Sequence, residues 1–163
     1  MVEYKSSTKG ASMLRVYLRL FGSGQVPRQA HRVLELEHCR LKEESMVGSI
    51  TWRDNRSAGK GSSRRRQWFL GSVAISDKRI LVYRYDSCLL NLLFSEARTA
   101  SVDFSTETPG ILSICCDAAL VEPSASGDVE ISFRTPAGVN VCSTIAAAKH
   151  RHGIRWSGRA PSR

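Results

Sequence analysis

From residue 46 to residue 134 the apolar residues fall in short runs broken by turn residues, and those at 100–105 and 129–134 alternate with polar ones. A chain patterned in this way folds as short antiparallel strands, each with one buried and one wetted face. The cleanest run is 129–134, where Val129, Ile131 and Phe133 alternate with Glu130, Ser132 and Arg134. Strands are also expected at 46–53, 67–76, 79–85, 100–105 and 111–116, and the apolar run 89–94 suits a strand or a buried turn. Asp77-Lys78 and Glu107-Thr108-Pro109-Gly110 supply turns between them. Cys115 and Cys116 are adjacent in one of these runs, so their side chains are expected on opposite faces.

Helical spacing appears only at the flanks. Leu14, Tyr17, Leu18 and Phe21 share one face of a segment that stops at Gly22-Ser23-Gly24. Pro27 suits a first helical position, and Ala30, Val33 and Leu34 make one face of a short helix reaching about Glu37. Residues 136–150 read as a weaker helix, with Val139, Val141, Cys142, Ile145 and Ala146 as its apolar positions. The expected class is therefore mainly β (α+β): about seven strands in a barrel or sandwich, closed by one C-terminal helix. The expected organisation is a disordered leader (1–12), a helical extension (13–45), a barrel domain (46–150) and a disordered basic tail (151–163).

Charge is concentrated rather than spread. Of the net +9 of the whole chain, residues 53–66 carry +5 and residues 149–163 another +5, which leaves the remainder at −1. Such segments attract phosphates, acidic lipid surfaces or nucleic acid. The five cysteines are odd in number, and residues 1–10 form no apolar signal segment, so reduced thiols and a cytoplasmic setting are expected. No run is long and apolar enough for a transmembrane helix.

Arg64-Arg65-Arg66-Gln67-Trp68-Phe69-Leu70, followed by Val73, Ile75-Ser76-Asp77-Lys78-Arg79-Ile80 and Leu81-Val82-Tyr83-Arg84, resembles the second and third strands of pleckstrin-homology-like domains. Residues 71–83 are also similar to the glycine-led hairpin of the related GRAM and bacterial PH-like domains. The resemblance covers about residues 46–150 and implies a bent seven-stranded antiparallel barrel with a C-terminal capping helix. The chain departs from the pattern in having no tryptophan in residues 136–150. In many members basic residues around the loop between strands one and two hold phosphoinositide head groups. The positions that correspond are Arg53, Lys60, Arg64, Arg65 and Arg66. Guanidinium groups suit that task, because they bind phosphate oxygens in a bidentate fashion. Alternation along a strand would let Arg64 and Arg66 converge while Arg65 points elsewhere.

Other chemistries fit poorly. Gly59-Lys60-Gly61-Ser62 has neither the upstream glycine nor the Ser or Thr after Lys that a Walker loop needs. Cys142, His150 and His152 match no zinc spacing, and no Gly-x-Ser-x-Gly occurs. The expected function is a non-enzymatic binding module without cofactor. It would dock a partner protein or anionic lipid head groups, and so sit peripherally at a membrane. The alternative is a nucleic-acid-binding barrel, with Trp68, Phe69, Tyr83 and Tyr85 as stacking groups beside the arginines.

Overall fold

A computed structural model describes residues 24–53 and 66–154. The sheet is built from β1 (Cys39–Arg53), β2 (Arg66–Ser76), β3 (Arg79–Arg84), β4 (Ser87–Leu93), β5 (Asp103–Ser105), β6 (Ile111–Asp117) and β7 (Asp128–Arg134). Helix α1 (Arg28–Leu36) precedes it and helix α2 (Gly138–Arg151) follows it. All neighbouring strands are antiparallel, in the order β4-β3-β2-β1-β7-β6-β5. The sheet curls into a half-barrel whose edge strands β4 and β5 do not pair with each other. A mainly β fold of seven antiparallel strands with a C-terminal helix is thus what the alternation predicts.

The boundaries differ from expectation in three places. The first strand starts at Cys39 rather than residue 46, so the last part of the expected helical extension is sheet. Its start was hidden because residues 39–45 are almost all polar and because bulges fall between Cys39 and Leu41 and between Glu43 and Met46. The expected strand at 100–105 is only Asp103–Ser105, after a 3-10 turn at Ala97–Ser101. The first residues of the expected disordered tail are docked: Ile154 packs against the core, and the His152 ring stacks on Phe94 at 5.4 Å. The leader, the expected helix at 13–21 and the tail beyond 154 lie outside the described residues.

The inner face holds the main core. Ile50, Phe69, Val73, Ile75, Ile80, Val82, Leu112, Ile114, Ile131 and Phe133 line it, and Val141, Ile145 and Ala148 of α2 close over it. Lys149 is buried at the same helix and donates from Nζ to the Val102 carbonyl at 3.1 Å, which ties α2 to the strand entering β5. Cys116 is buried on this side and Cys115 exposed on the other, as strand alternation requires. A smaller apolar cluster lies on the outer face of β2 and β3. There Leu34 of α1 and the preceding Val26 cover Ala74, Leu81 and Tyr83, while Val33 is turned outward.

Gly71 sits where no side chain fits. A Cβ there would lie 2.2 Å from the Tyr83 carbonyl oxygen, which cannot swing away as a side-chain tip can. Gly71→Ala is expected to cost about 3 kcal/mol, the upper range for overpacking, read as a lowered urea midpoint at unchanged slope.

An ion pair anchors the end of α1 to the sheet. The Glu37 carboxylate accepts from Arg79 Nη2 at 2.6 Å, from Arg79 Nε and from Ser76 Oγ, both at 2.9 Å. Burial alone would push the Glu37 carboxyl up; the hydrogen bonds from Arg79 and Ser76 outweigh it and hold it below its ordinary value. In acid the unfolded chain therefore takes up this proton first. The stabilisation is complete above the ordinary carboxylate value of 4.5 and fades as pH falls through the lower folded one. Glu37→Gln is expected to cost about 2 kcal/mol at neutral pH, below the ~3–5 kcal/mol of a fully buried pair. Its unfolding midpoint should also fall less steeply than the parent's in acid titration below that value.

Candidate functional site

The arginine-rich loop leaves the sheet at Arg53 and returns at Arg66. Of the five residues expected to bind phosphate, Arg53 and Arg66 are described; Lys60, Arg64 and Arg65 lie outside the described residues. Thr51 pairs with Arg66 across the β1–β2 ladder, so Arg53, two residues beyond Thr51, shares the outer face with Arg66 as a diagonal neighbour. The two do not have the same surroundings. Arg53 forms an ion pair with Glu130 of β7, which neutralises it. Arg66 donates from Nε and Nη2 to the Ser49 hydroxyl at 3.2 and 3.1 Å and meets no carboxylate within ion-pair distance among the described residues.

Trp68 is the centre of this face. Its neighbour Phe69 is 4% exposed and points into the core, whereas Trp68 is 55% exposed on the outer side. The Trp-Phe pair therefore splits across the sheet. Only Phe69 turns inward, and the described arginines lie on the outer wall. The Arg66 guanidinium carbon lies 4.5 Å from the centroid of the Trp68 ring, and that of Arg134 lies 5.6 Å from it. Both cations meet the electron-rich ring face, an interaction of about 0.5–1 kcal/mol at an exposed site.

Register explains how Arg134 arrives there. Ser49 of β1 pairs with Trp68 of β2 on one side and with Ser132 of β7 on the other. The row continues through Ser113 of β6 to Ser105 of β5. With such small side chains beside Trp68, the long Arg134 side chain can cross from two strands away, a spacing of about 9–10 Å. Sequence reasoning missed Arg134, although it ends the cleanest alternating strand on the polar face. Its proximity to Trp68 depends on β7 pairing with β1, a contact between residues more than eighty positions apart.

The flanking row runs from Asp103 through Cys115, Glu130 and Thr51 to Arg66. The outer face is thus acidic towards β5 and basic towards β2. Burial raises the Cys115 thiol, and the charge of Glu130 adds to it, so this exposed cysteine is a poor thiolate and a poor nucleophile. Among the described residues no group of three or more His, Cys, Asp and Glu is placed to hold a metal, and no helix is long and apolar enough to cross a membrane. No protein-family profile matches the chain, and no curated protein sequence matches it.

The two aromatic neighbours should separate cleanly in a stability series. Phe69→Ala is expected to cost about 3–5 kcal/mol, and Trp68→Ala under about 1 kcal/mol. Chemical denaturation of both variants checks this; a Trp68 cost equal to that of Phe69 contradicts the outward placement.

Proposed function

We propose that the chain is a non-enzymatic binding module of the pleckstrin-homology-like kind, which docks an anionic surface through the root of its β1–β2 loop. The favoured surface is an acidic membrane, which would make the protein peripheral and cytoplasmic; an acidic partner protein uses the same chemistry. One observation carries the reading. Two guanidiniums, Arg66 and Arg134, flank an exposed tryptophan at the point where a segment of net charge +5 meets the sheet. Neither has a carboxylate within ion-pair distance among the described residues. Guanidinium suits phosphate esters geometrically, and an amphipathic indole suits a membrane interface, where one side is apolar and the other wet. The seven antiparallel strands and the closing helix support the reading, being the elements that the resemblance implies.

Trp68 also supports a second reading, in which an unpaired base stacks on the indole beside the arginines. One experiment separates the two. Co-sedimentation with vesicles containing phosphatidylserine or a phosphoinositide is run beside a labelled single-stranded oligonucleotide shift, each at low and physiological salt. The membrane reading expects vesicle binding that survives physiological salt and an oligonucleotide shift that does not. Arg66→Ala with Arg134→Ala should weaken vesicle binding about tenfold, the loss of one to two charge-assisted hydrogen bonds. Unchanged vesicle binding in that variant overturns the proposal. An oligonucleotide shift that resists salt while vesicle binding does not replaces it with the nucleic-acid reading.

A further inference from the structure

A second group of cations gathers at the other end of the β1–β2 hairpin, around Asp77 of the β2–β3 turn. Arg40 of β1 donates to both carboxylate oxygens, from Nε at 2.8 Å and Nη2 at 2.7 Å. Arg151, in the last turn of α2, donates to Oδ1 at 3.1 Å. His38 Nδ1 stands 4.0 Å from Oδ2, and His152 Nε2 donates to the Asp77 carbonyl at 2.8 Å. Lys78 is exposed beside them. Two separate elements, β1 and α2, therefore place Arg40 and Arg151 on one acid, which leaves an excess of one positive charge before the histidines or the neighbouring Lys78 are counted.

The geometry suits a phosphate. Arg40 Nε and Arg151 Nη2 share a single oxygen of Asp77, so the two guanidiniums are already as close as bridging one phosphate group demands. Each guanidinium carries five N–H donors in a rigid fork. Arg40 spends two and Arg151 one, and no other acceptor meets either among the described residues. Both side chains are about half exposed, so the unspent donors are accessible. Asp77 itself is held below the usual carboxylate range by the Arg40 hydrogen bonds, with Arg151 and His38 adding to the effect, so it stays ionised and keeps the cluster assembled. A phosphate dianion carries more charge than this carboxylate and offers three further acceptor oxygens.

We propose that the cluster around Asp77 is a second anion-binding surface, remote from the Arg66 face, that takes a free or ester-borne phosphate group. The inference does not rest on the membrane reading of the loop. The test is a 15N-resolved titration of the full chain with inorganic phosphate, against chloride at matched ionic strength. The amides of Lys78, Arg79 and His152 should move along a saturating curve with phosphate only. Arg40→Gln with Arg151→Gln should weaken binding about tenfold. Lys78→Ala, whose exposed side chain makes no hydrogen bond or ion pair among the described residues, should weaken it as well and guards against misfolding of the double variant. Arg66→Ala with Arg134→Ala should leave it unchanged. Repeating the titration with phosphoinositide vesicles identifies the source: attachment lost in the Arg40 and Arg151 variant marks a lipid head group, and attachment retained marks a soluble phosphate. Phosphate no more effective than chloride, or a folded Lys78→Ala variant and the double variant both binding like the parent, overturns the inference.

Discussion

Phe69 and Phe133 meet edge to face across β1, with ring centroids 5.6 Å apart and planes at 90°. They can do so only because Gly48 lies between them: it pairs with Phe69 on one side and Phe133 on the other. A Cβ at Gly48 would stand 2.9 Å from both rings. This single row joins the β2–β4 half of the sheet to the β7–β5 half through a strand with no side chain in the way. It also fixes the register, since sliding either neighbour by one residue would turn every core residue of that strand outward. The placement of Trp68 follows at once. If Phe69 must reach Phe133 inside, the residue before it must face out.

Alternation therefore gave much of the architecture, and its failures have a common cause. Strands with one dry face, such as β6 and β7, are written directly into the sequence as a period of two. In β2 that period is masked, because nearly every residue from Phe69 to Ser76 is buried. One set faces the main core, and Ala74 of the other lies beneath α1. The start of β1 is masked in the opposite way. Residues Cys39–Ser45 hold pairing by backbone hydrogen bonds with little apolar content, and Ser45 takes a left-handed conformation at the second bulge. Neither a continuous apolar run nor a polar one reports its period.

The candidate site was legible in parts. Arginine density picked out the loop and its roots at Arg53 and Arg66, but charge counts do not reveal which cations are already spoken for. Arg53 is answered by Glu130, which lies across the sheet and 77 residues away. Arg134 was absent from the expected site for the same reason. Pairings of this kind belong to strand order rather than to local sequence. The start of the tail shows the reverse: Gly153, Gly158 and Pro161 suggested disorder from residue 151 on, whereas Arg151 and His152 are held by Asp77 in a turn that sequence had read only as a turn.

Strand length then keeps the two basic regions apart. β2 has eleven residues, from Arg66 at the loop end to Ser76 beside Asp77. At about 3.3 Å per residue that separation is roughly 35 Å, several times the Debye length of about 8 Å at physiological salt. Charge at one end is thus screened from the other, and neither can compensate for the loss of its counterpart. The ion pairs of Glu37 with Arg79 and of Arg53 with Glu130 are closed at short range. Those pairs fasten the fold. The two extremities of the hairpin therefore act independently: Arg66 and Arg134 meet no carboxylate among the described residues, and Arg40 and Arg151 share Asp77 with donors to spare.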